Sequence, residues 1–147
     1  MTIYSEQDFV KMRYADVLLM YAEAKITMAK AGQDVIGQPV LDAINQIRAR
    51  AYGADYTDYT SYPAITTGEP DELEIILRRE RRIELAFEGL RYYDLKRWKI
   101  AETVLPALVD PDKKQRIFDP EKHYLWPIPQ AELDIVGTDI LPQNPGY

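Results

Sequence analysis

The densest chemistry in the sequence is the run Arg78-Arg79-Glu80-Arg81-Arg82-Ile83-Glu84, continued by Glu88, Arg91, Asp94, Lys96 and Arg97. On a helix, Glu80 and Glu84 are neighbours of like charge at i,i+4, whereas Glu88–Arg91, Arg91–Asp94 and Asp94–Arg97 are opposite charges at i,i+3. Two carboxylates on one face are the raw material of glycoside hydrolysis, in which an acid and a base or nucleophile flank the scissile bond. A general acid needs a raised pKa, however, and surrounding guanidinium groups favour the ionised carboxylate. The spacing therefore favours an ion network built from Glu80, Arg81, Glu84, Arg91 and Asp94 over a catalytic dyad.

The second candidate is the stretch from Tyr52 to Pro63, which repeats Asp-Tyr-Thr and holds Tyr56, Tyr59 and Tyr62. Loop aromatics offer flat faces for stacking and hydroxyls for hydrogen bonding, the two things a sugar ring needs. The competing reading is that these rings lie on the protein's own surface or against a neighbour. Asp55, Asp58 and Glu69 supply oxygens of the kind calcium takes, but their spacing matches no EF-hand loop, and a bland polar loop is the stronger reading. Trp98 and Trp126, each among apolar neighbours, are expected in the core, and His123 at the surface or in a turn cap.

Several classes of chemistry drop out on composition. With no cysteine and a single histidine, thiolate nucleophiles, disulfide frameworks, two-histidine zinc sites and histidine relays are absent from these residues. A net charge of −6 lacks the basic footprint of a phosphate-tracking nucleic-acid binder. There is no glycine-rich phosphate loop, no nucleophile elbow, no run of 18 apolar residues and no opening signal segment. No metal or cofactor is implied. Tyrosine stands out, at 11 of 147 residues against 3 Phe and 2 Trp.

The elements that must position these groups are helical. The spacing predicts a helix over 8–31, with Tyr14, Leu18, Tyr21, Ala22 and Met28 as its apolar stripe, widened by Val17, Met20 and Ala24. A second helix is expected to begin near Pro39, to bury Val40, Leu41, Ile44, Ile47 and Ala51, and to close at Gly53. The two form an αα-hairpin. Helix signals return at Asp71, an expected N-cap with Glu74 three residues on. The stripe Leu73, Ile76, Leu77, Ile83, Phe87, Leu90 and Trp98 then runs on, with a bend or break expected at Gly89. After Pro106 the chain becomes proline-rich: turns at Asp110-Pro111-Asp112 and Asp119-Pro120-Glu121, an extended Tyr124–Pro129, and one short helix over 130–136. The apolar residues of this tail (among them Ile117, Phe118, Leu125, Leu133 and Ile140) are expected to pack back onto the helices.

Five segments together resemble the C-terminal portion of the SusD/RagB family. They are Arg13-Tyr14-Ala15-Asp16-Val17-Leu18-Leu19-Met20-Tyr21-Ala22-Glu23-Ala24, residues 43–51 (Ala43-Ile44-Asn45-Gln46-Ile47-Arg48-Ala49-Arg50-Ala51), and residues 80–98, which include Phe87-Glu88-Gly89-Leu90-Arg91 and Asp94-Leu95-Lys96-Arg97-Trp98. Pro127-Ile128-Pro129 and the terminal Gln143-Asn144-Pro145-Gly146-Tyr147 complete the set. Leu90 stands where the family more often has His.

The resemblance implies a mostly α fold: a SusD-like C-terminal domain over 1–147 with a tetratricopeptide-like hairpin, a long bent helix and an irregular proline-rich arm. It implies a fragment of a longer protein whose N-terminal part is absent, together with the signal peptide and lipid-bearing cysteine found there in the family. It further implies a non-catalytic lipoprotein on the outer face of the outer membrane, binding oligosaccharides or other nutrients as the lid of a TonB-dependent transporter. The matching motifs are scaffold in the family, so no family role transfers to the tyrosine loop. A purely structural or protein-interaction domain is the alternative, and hydrolysis through Glu80 and Glu84 is a distant third.

Overall fold

Three amphipathic segments and a proline-rich remainder give six helices among the described residues, which in this computed structural model are 11–109 and 111–147. The only β pairing described is an isolated antiparallel bridge between Val109 and Gln115. The chain divides into two compact units, Met1–Gly89 and Leu90–Tyr147.

In the first unit, α1 (Tyr14–Lys30) lies against both α2 (Gln38–Tyr52) and α3 (Pro70–Glu84), while α2 and α3 touch less. The α2 stripe is buried as its period demands, through Val40, Leu41, Ile44 and Ile47. Ala49 rather than Ala51 extends that stripe, and Ala51 is exposed. Pro39 occupies the first turn and Gly53, at φ +65°, ends the helix with its amide bonded to Arg50 O at 3.1 Å. That left-handed conformation is one residues with a side chain rarely adopt, and glycine takes it at little cost.

The first helix departs from its expected stripe. It starts at Tyr14, residues 11–13 are not helical, and residues 8–10 lie outside the described residues. Its buried positions are Asp16, Leu19, Ala22 and Ile26, whereas Tyr14, Val17, Met20, Tyr21 and Met28 are exposed. Apolar residues on both sides of this helix permit two choices of core face, and the polar Asp16 disguises the true one. Asp16 is accommodated because Arg81 of α3, only 5% exposed, reaches it with Nη1 at 2.8 Å from Oδ1.

The same pair explains α3. Leu73 and Leu77 are buried, and the next position on that line, Arg81, is filled by the guanidinium instead of Ile83 or Phe87, which are exposed. Asp71 is not the N-cap. The helix begins at Pro70 with Glu69 in the cap position, and both Asp71 and Glu74 instead pair with Lys30 of α1. The expected bend is a full break: α3 stops at Glu84, Phe87 and Gly89 take φ +66° and +78°, and α4 (Arg91–Arg97) starts afresh.

The second unit continues with α5 (Ala101–Val104) and α6 (Gln130–Val136). Its core is Leu95, Ala101, Leu105 and Phe118, with Tyr92, Ile100, Val104 and Tyr124 packed against it. The Phe118 ring meets Tyr124 edge-on at 4.9 Å and His123 at 5.5 Å. His123 caps its turn through Nδ1, which accepts the Asp119 amide at 2.7 Å. The tail buries less than its composition suggested: Phe118 and Leu133 are buried, whereas Ile117, Leu125, Ile135 and Ile140 are exposed. Trp126 is 62% exposed rather than a core residue, and Trp98 is half-buried. Tyr124 and Leu125 lie in a turn and a bend, the Leu125 amide bonding Lys122 O at 3.4 Å, so the extended run expected from Tyr124 begins only at Trp126. Proline holds 126–129 out of a helix, and extended backbone sends successive side chains to opposite sides, so one packed face cannot take them all. The terminal residues fix this segment by other means. The Gln143 amide brackets Ile128, donating to its carbonyl at 2.9 Å and accepting from its amide at 2.8 Å, and Asn144 Nδ2 donates to Trp126 O at 2.6 Å. Of the Asp110-Pro111-Asp112 turn, Asp110 lies outside the described residues.

Candidate ligand-binding loop and the ion pairs of the charged run

The Asp-Tyr-Thr repeat becomes two successive side-chain-stabilised turns. Asp55 Oδ1 accepts from the amide and the hydroxyl of Thr57, both at 2.9 Å; Asp58 Oδ1 accepts from Thr60 in the same way at 3.1 and 2.6 Å. This is the local bonding that makes Asp and Thr turn formers. Both carboxyls are held below the usual range, Asp55 chiefly by the Thr57 amide and Asp58 chiefly by the Thr60 hydroxyl. Their oxygens serve the loop itself, and among the described residues no cluster of three or more His, Cys, Asp or Glu could hold a metal ion.

Each turn displays a tyrosine, but the three rings have different surroundings. Tyr62 is 6% exposed, and its hydroxyl donates to Tyr56 O at 2.7 Å while burial pushes the phenol pKa up. Tyr59 is half-buried, its ring set edge-on to Tyr62 at 6.3 Å, its hydroxyl 3.0 Å from Asp42 Oδ1 and bonded to Gln38. Tyr56 is the outermost, 39% exposed. Tyr62 is thus buried and tied to the Tyr56 backbone, Tyr59 is tied to α2, and Tyr56 is the most exposed of the three. Asn45, fully buried on α2, fastens the far end of the loop: Nδ2 donates to Ile65 O at 2.9 Å and Oδ1 accepts from Ile65 N at 2.7 Å. The only sequence signal for that anchor is a polar residue standing at a core position between Ile44 and Ile47.

The carboxylates of the charged run are committed to pairs. Glu84 accepts from Arg13 at 2.7 Å and from Arg50 at 2.6 Å, and Glu80 faces Arg48 at 3.3 Å. Arg13 also reaches Glu88 at 2.5 Å and the Glu84 carbonyl at 2.8 Å. These bonds raise the Arg13 pKa, Glu88 contributing most, and hold the Glu88 carboxyl below its ordinary value. Glu80, Arg81 and Glu84 therefore join α3 to α2, to α1 and to the residue preceding α1. Asp94 bonds Arg97 within α4 at 2.8 Å, and the Arg91 guanidinium lies 5.9 Å from the Trp98 ring. Glycoside hydrolysis needs two carboxyls facing a shared opening, one of them protonated. Glu80 and Glu84 do line one cavity of about 200 Å³ between α2 and α3, but each carboxylate is already paired with a guanidinium, Glu80 with Arg48 and Glu84 with Arg13 and Arg50.

A helical hairpin closed by a third helix, with an ordered aromatic loop and an irregular second unit, defines a helical-repeat scaffold of the tetratricopeptide-like class. No described helix is long and apolar enough to cross a membrane. The chain belongs to the SusD family, whose model matches residues 1–147. It is 37% identical to SusD-like protein P2 of Formosa agariphila over 97% of its own length and 26% of the relative's, and 33% identical to SusD-like protein P38 of the same organism over 68% and 19%. Among solved structures it resembles a SusD-like carbohydrate binding protein of Bacteroides fragilis, at TM-score 0.66 and 36% identity over 84% of this chain and 27% of that one. It also resembles a SusD homolog of Bacteroides thetaiotaomicron, at TM-score 0.69 and 30% identity over 92% and 26%. The chain thus spans about a quarter of the length of P2 and of both solved proteins.

Proposed function

We propose that the protein binds glycans or another nutrient at the cell surface without cleaving them, as the accessory subunit of a TonB-dependent outer-membrane uptake complex. The observation that carries this is membership of the SusD family along all 147 residues, together with a structural relative described as carbohydrate binding. In this reading the longer protein sits on the outer face of the outer membrane, held by a lipid attached in the N-terminal region outside these residues. The transporter and that N-terminal region are its protein partners.

Of the three loop tyrosines, Tyr56 and Tyr59 are the proposed ligand contacts, through their partly exposed rings. Tyr62, 6% exposed, is corrected to a supporting residue that holds the loop through its bond to Tyr56 O. Exposed aromatic faces on a turn fixed by its own side chains lose little conformational freedom on stacking, which favours binding. The test is calorimetric titration of the longer protein with a panel of oligosaccharides. Saturable binding weakened by about tenfold in Tyr56→Ala is expected, in line with loss of one aromatic contact; silence across the panel would remove the proposal.

The alternative, a scaffold that only contacts its transporter or the rest of its own chain, is favoured by one observation: Tyr62 and Tyr59 are already engaged inside the domain. It predicts that replacing all three tyrosines leaves nutrient uptake unchanged.

A further inference from the structure

The second unit holds an open cleft of about 430 Å³, and no acidic side chain is among the described residues that line it. Leu105, Ile117 and Phe118 make its walls, and Tyr92, Arg116 and His123 supply its polar groups. In a chain with 24 acidic residues against 18 basic ones, that is an uneven distribution. Each of the three polar groups can donate a hydrogen bond. A guanidinium has five N–H donors and no acceptor, and a phenol hydroxyl turns to suit its partner. His123 Nδ1 already accepts the Asp119 amide at 2.7 Å, so the ring proton sits on Nε2 and that nitrogen donates as well. Asp119, beside Phe118 in the chain, spends Oδ1 on the Glu121 amide at 2.9 Å. More positive charge stacks on rings of the same cluster. Lys96 lies 5.4 Å from the centre of the Tyr92 ring, and Lys99 lies 4.0 Å from that of Tyr124, which packs on Phe118. Lys25 and Lys30 of the first unit pair with Asp34, Asp71 and Glu74, whereas Lys96 and Lys99 have no carboxylate partner among the described residues. Burial and then Lys99 lower the Lys96 pKa, and no acidic neighbour offsets them.

A sugar hydroxyl donates as well as accepts, so a site for neutral sugar is served by acceptors and donors together. A cleft that offers donors and positive charge suits a group that only accepts, a carboxylate or a sulfate. We propose that this cleft binds the oxyanion-bearing residue of an acidic glycan, with the carboxylate or sulfate on Arg116 and His123 and the sugar ring against Ile117, which is 88% exposed. Lys96 and Lys99 act through their field, raising the local concentration of the anion without touching it. The site is separate from the tyrosine loop of the first unit. That a saccharide carries the oxyanion rests on the uptake reading above.

The test is titration calorimetry of the longer protein with matched oligomers: tetragalacturonate against its methyl ester, and a sulfated galactose tetrasaccharide against its desulfated form. At least one charged oligomer should bind about tenfold or more tightly than its uncharged counterpart, the worth of one charge-assisted hydrogen bond. Arg116→Gln, at an exposed position, should remove most of that preference. Lys99→Gln should weaken binding only about twofold to threefold, and only at low salt, as befits a charge that attracts without contact. In the unaltered protein the bound charged oligomer should largely block modification of His123 by diethyl pyrocarbonate, read by mass spectrometry. Equal affinity for charged and uncharged oligomers would overturn the proposal and leave the uptake reading standing. A charge preference that survives Arg116→Gln, or His123 left unprotected, would overturn it too, since the anion would then sit elsewhere. Charge-selective binding with protection of His123, followed by recovery of shortened oligomers, would uphold this site and refute uptake without cleavage. No binding of any oligomer would refute both.

Discussion

Within Met1–Gly89, stability comes from periodic helix faces: Leu19, Ile26, Ile44, Leu73 and Leu77 are almost completely buried, and ion pairs tie the three helices at their ends. Within Leu90–Tyr147 the described core cluster has four buried side chains, with Leu133 buried besides, and much of the order comes from rings, cations and side-chain-to-backbone bonds. Lys96 lies over Trp126 at 4.9 Å and over Tyr92 at 5.4 Å, and Lys99 over Tyr124 at 4.0 Å. Burial, and after it the nearby Lys99, lowers the Lys96 pKa. The difference teaches where each unit is brittle. A packed helix face fails by cavity, whereas a bracketed loop fails by losing one or two polar bonds.

That contrast can be broken first at the helix core. Ile44→Ala should destabilise the first unit by about 3 to 4 kcal/mol in urea unfolding, the usual cost of a cavity at a fully buried aliphatic site. A loss below about 1 kcal/mol would mean that the three-helix core is not the main support. Next comes the buried pair. Arg81→Met alone should cost about 3 kcal/mol because Asp16 is left buried without its cation, and adding Asp16→Leu should restore most of that loss. If the double variant is no better than the single, the guanidinium is valuable for packing and not for charge.

In the second unit the expected effect is smaller and local. Gln143→Ala should cost about 1 kcal/mol and speed amide exchange at Ile128 while leaving Ile44 untouched. Spread of that change into the helix core would erase the distinction between the units. The smallest effect is on pH. Arg13 draws the Glu88 carboxyl below its ordinary 4.5, so the folded state binds that proton less readily than the unfolded chain. The pair's contribution is complete above the unfolded value and is lost as pH falls through the folded one. Because Glu88 is about a third exposed, acidification should remove only a few tenths of a kcal/mol through it, roughly the worth of a surface ion pair. Glu88→Gln should flatten that part of the stability profile measured by urea at successive pH values.

Much of this was legible in the sequence because local rules and tertiary demands agree. α2 has a clean apolar period, Pro39 in its first turn and a left-handed Gly53 after its end; α6 and the interruption at Gly89 follow from equally local signals. α1 was legible as a helix but not in its orientation, because it is apolar on two faces and its true core line includes an aspartate. The ion pairs across α1, α2 and α3 needed tertiary information, since Arg13, Arg48 and Arg50 lie far from Glu80 and Glu84 in the chain. Tyr56, Tyr59 and Tyr62 look alike in sequence. Only the position of α2, with Asp42 and Asn45 on it, separates the buried ring from the exposed one.

The most direct measurement is titration calorimetry of the longer protein with oligosaccharides, followed by chromatography of the recovered sugar. Saturable heat with at least one glycan, weakening in Tyr56→Ala, and sugar recovered at its original length are the expected result. No binding to any glycan, or recovery of shorter products, would contradict capture without cleavage.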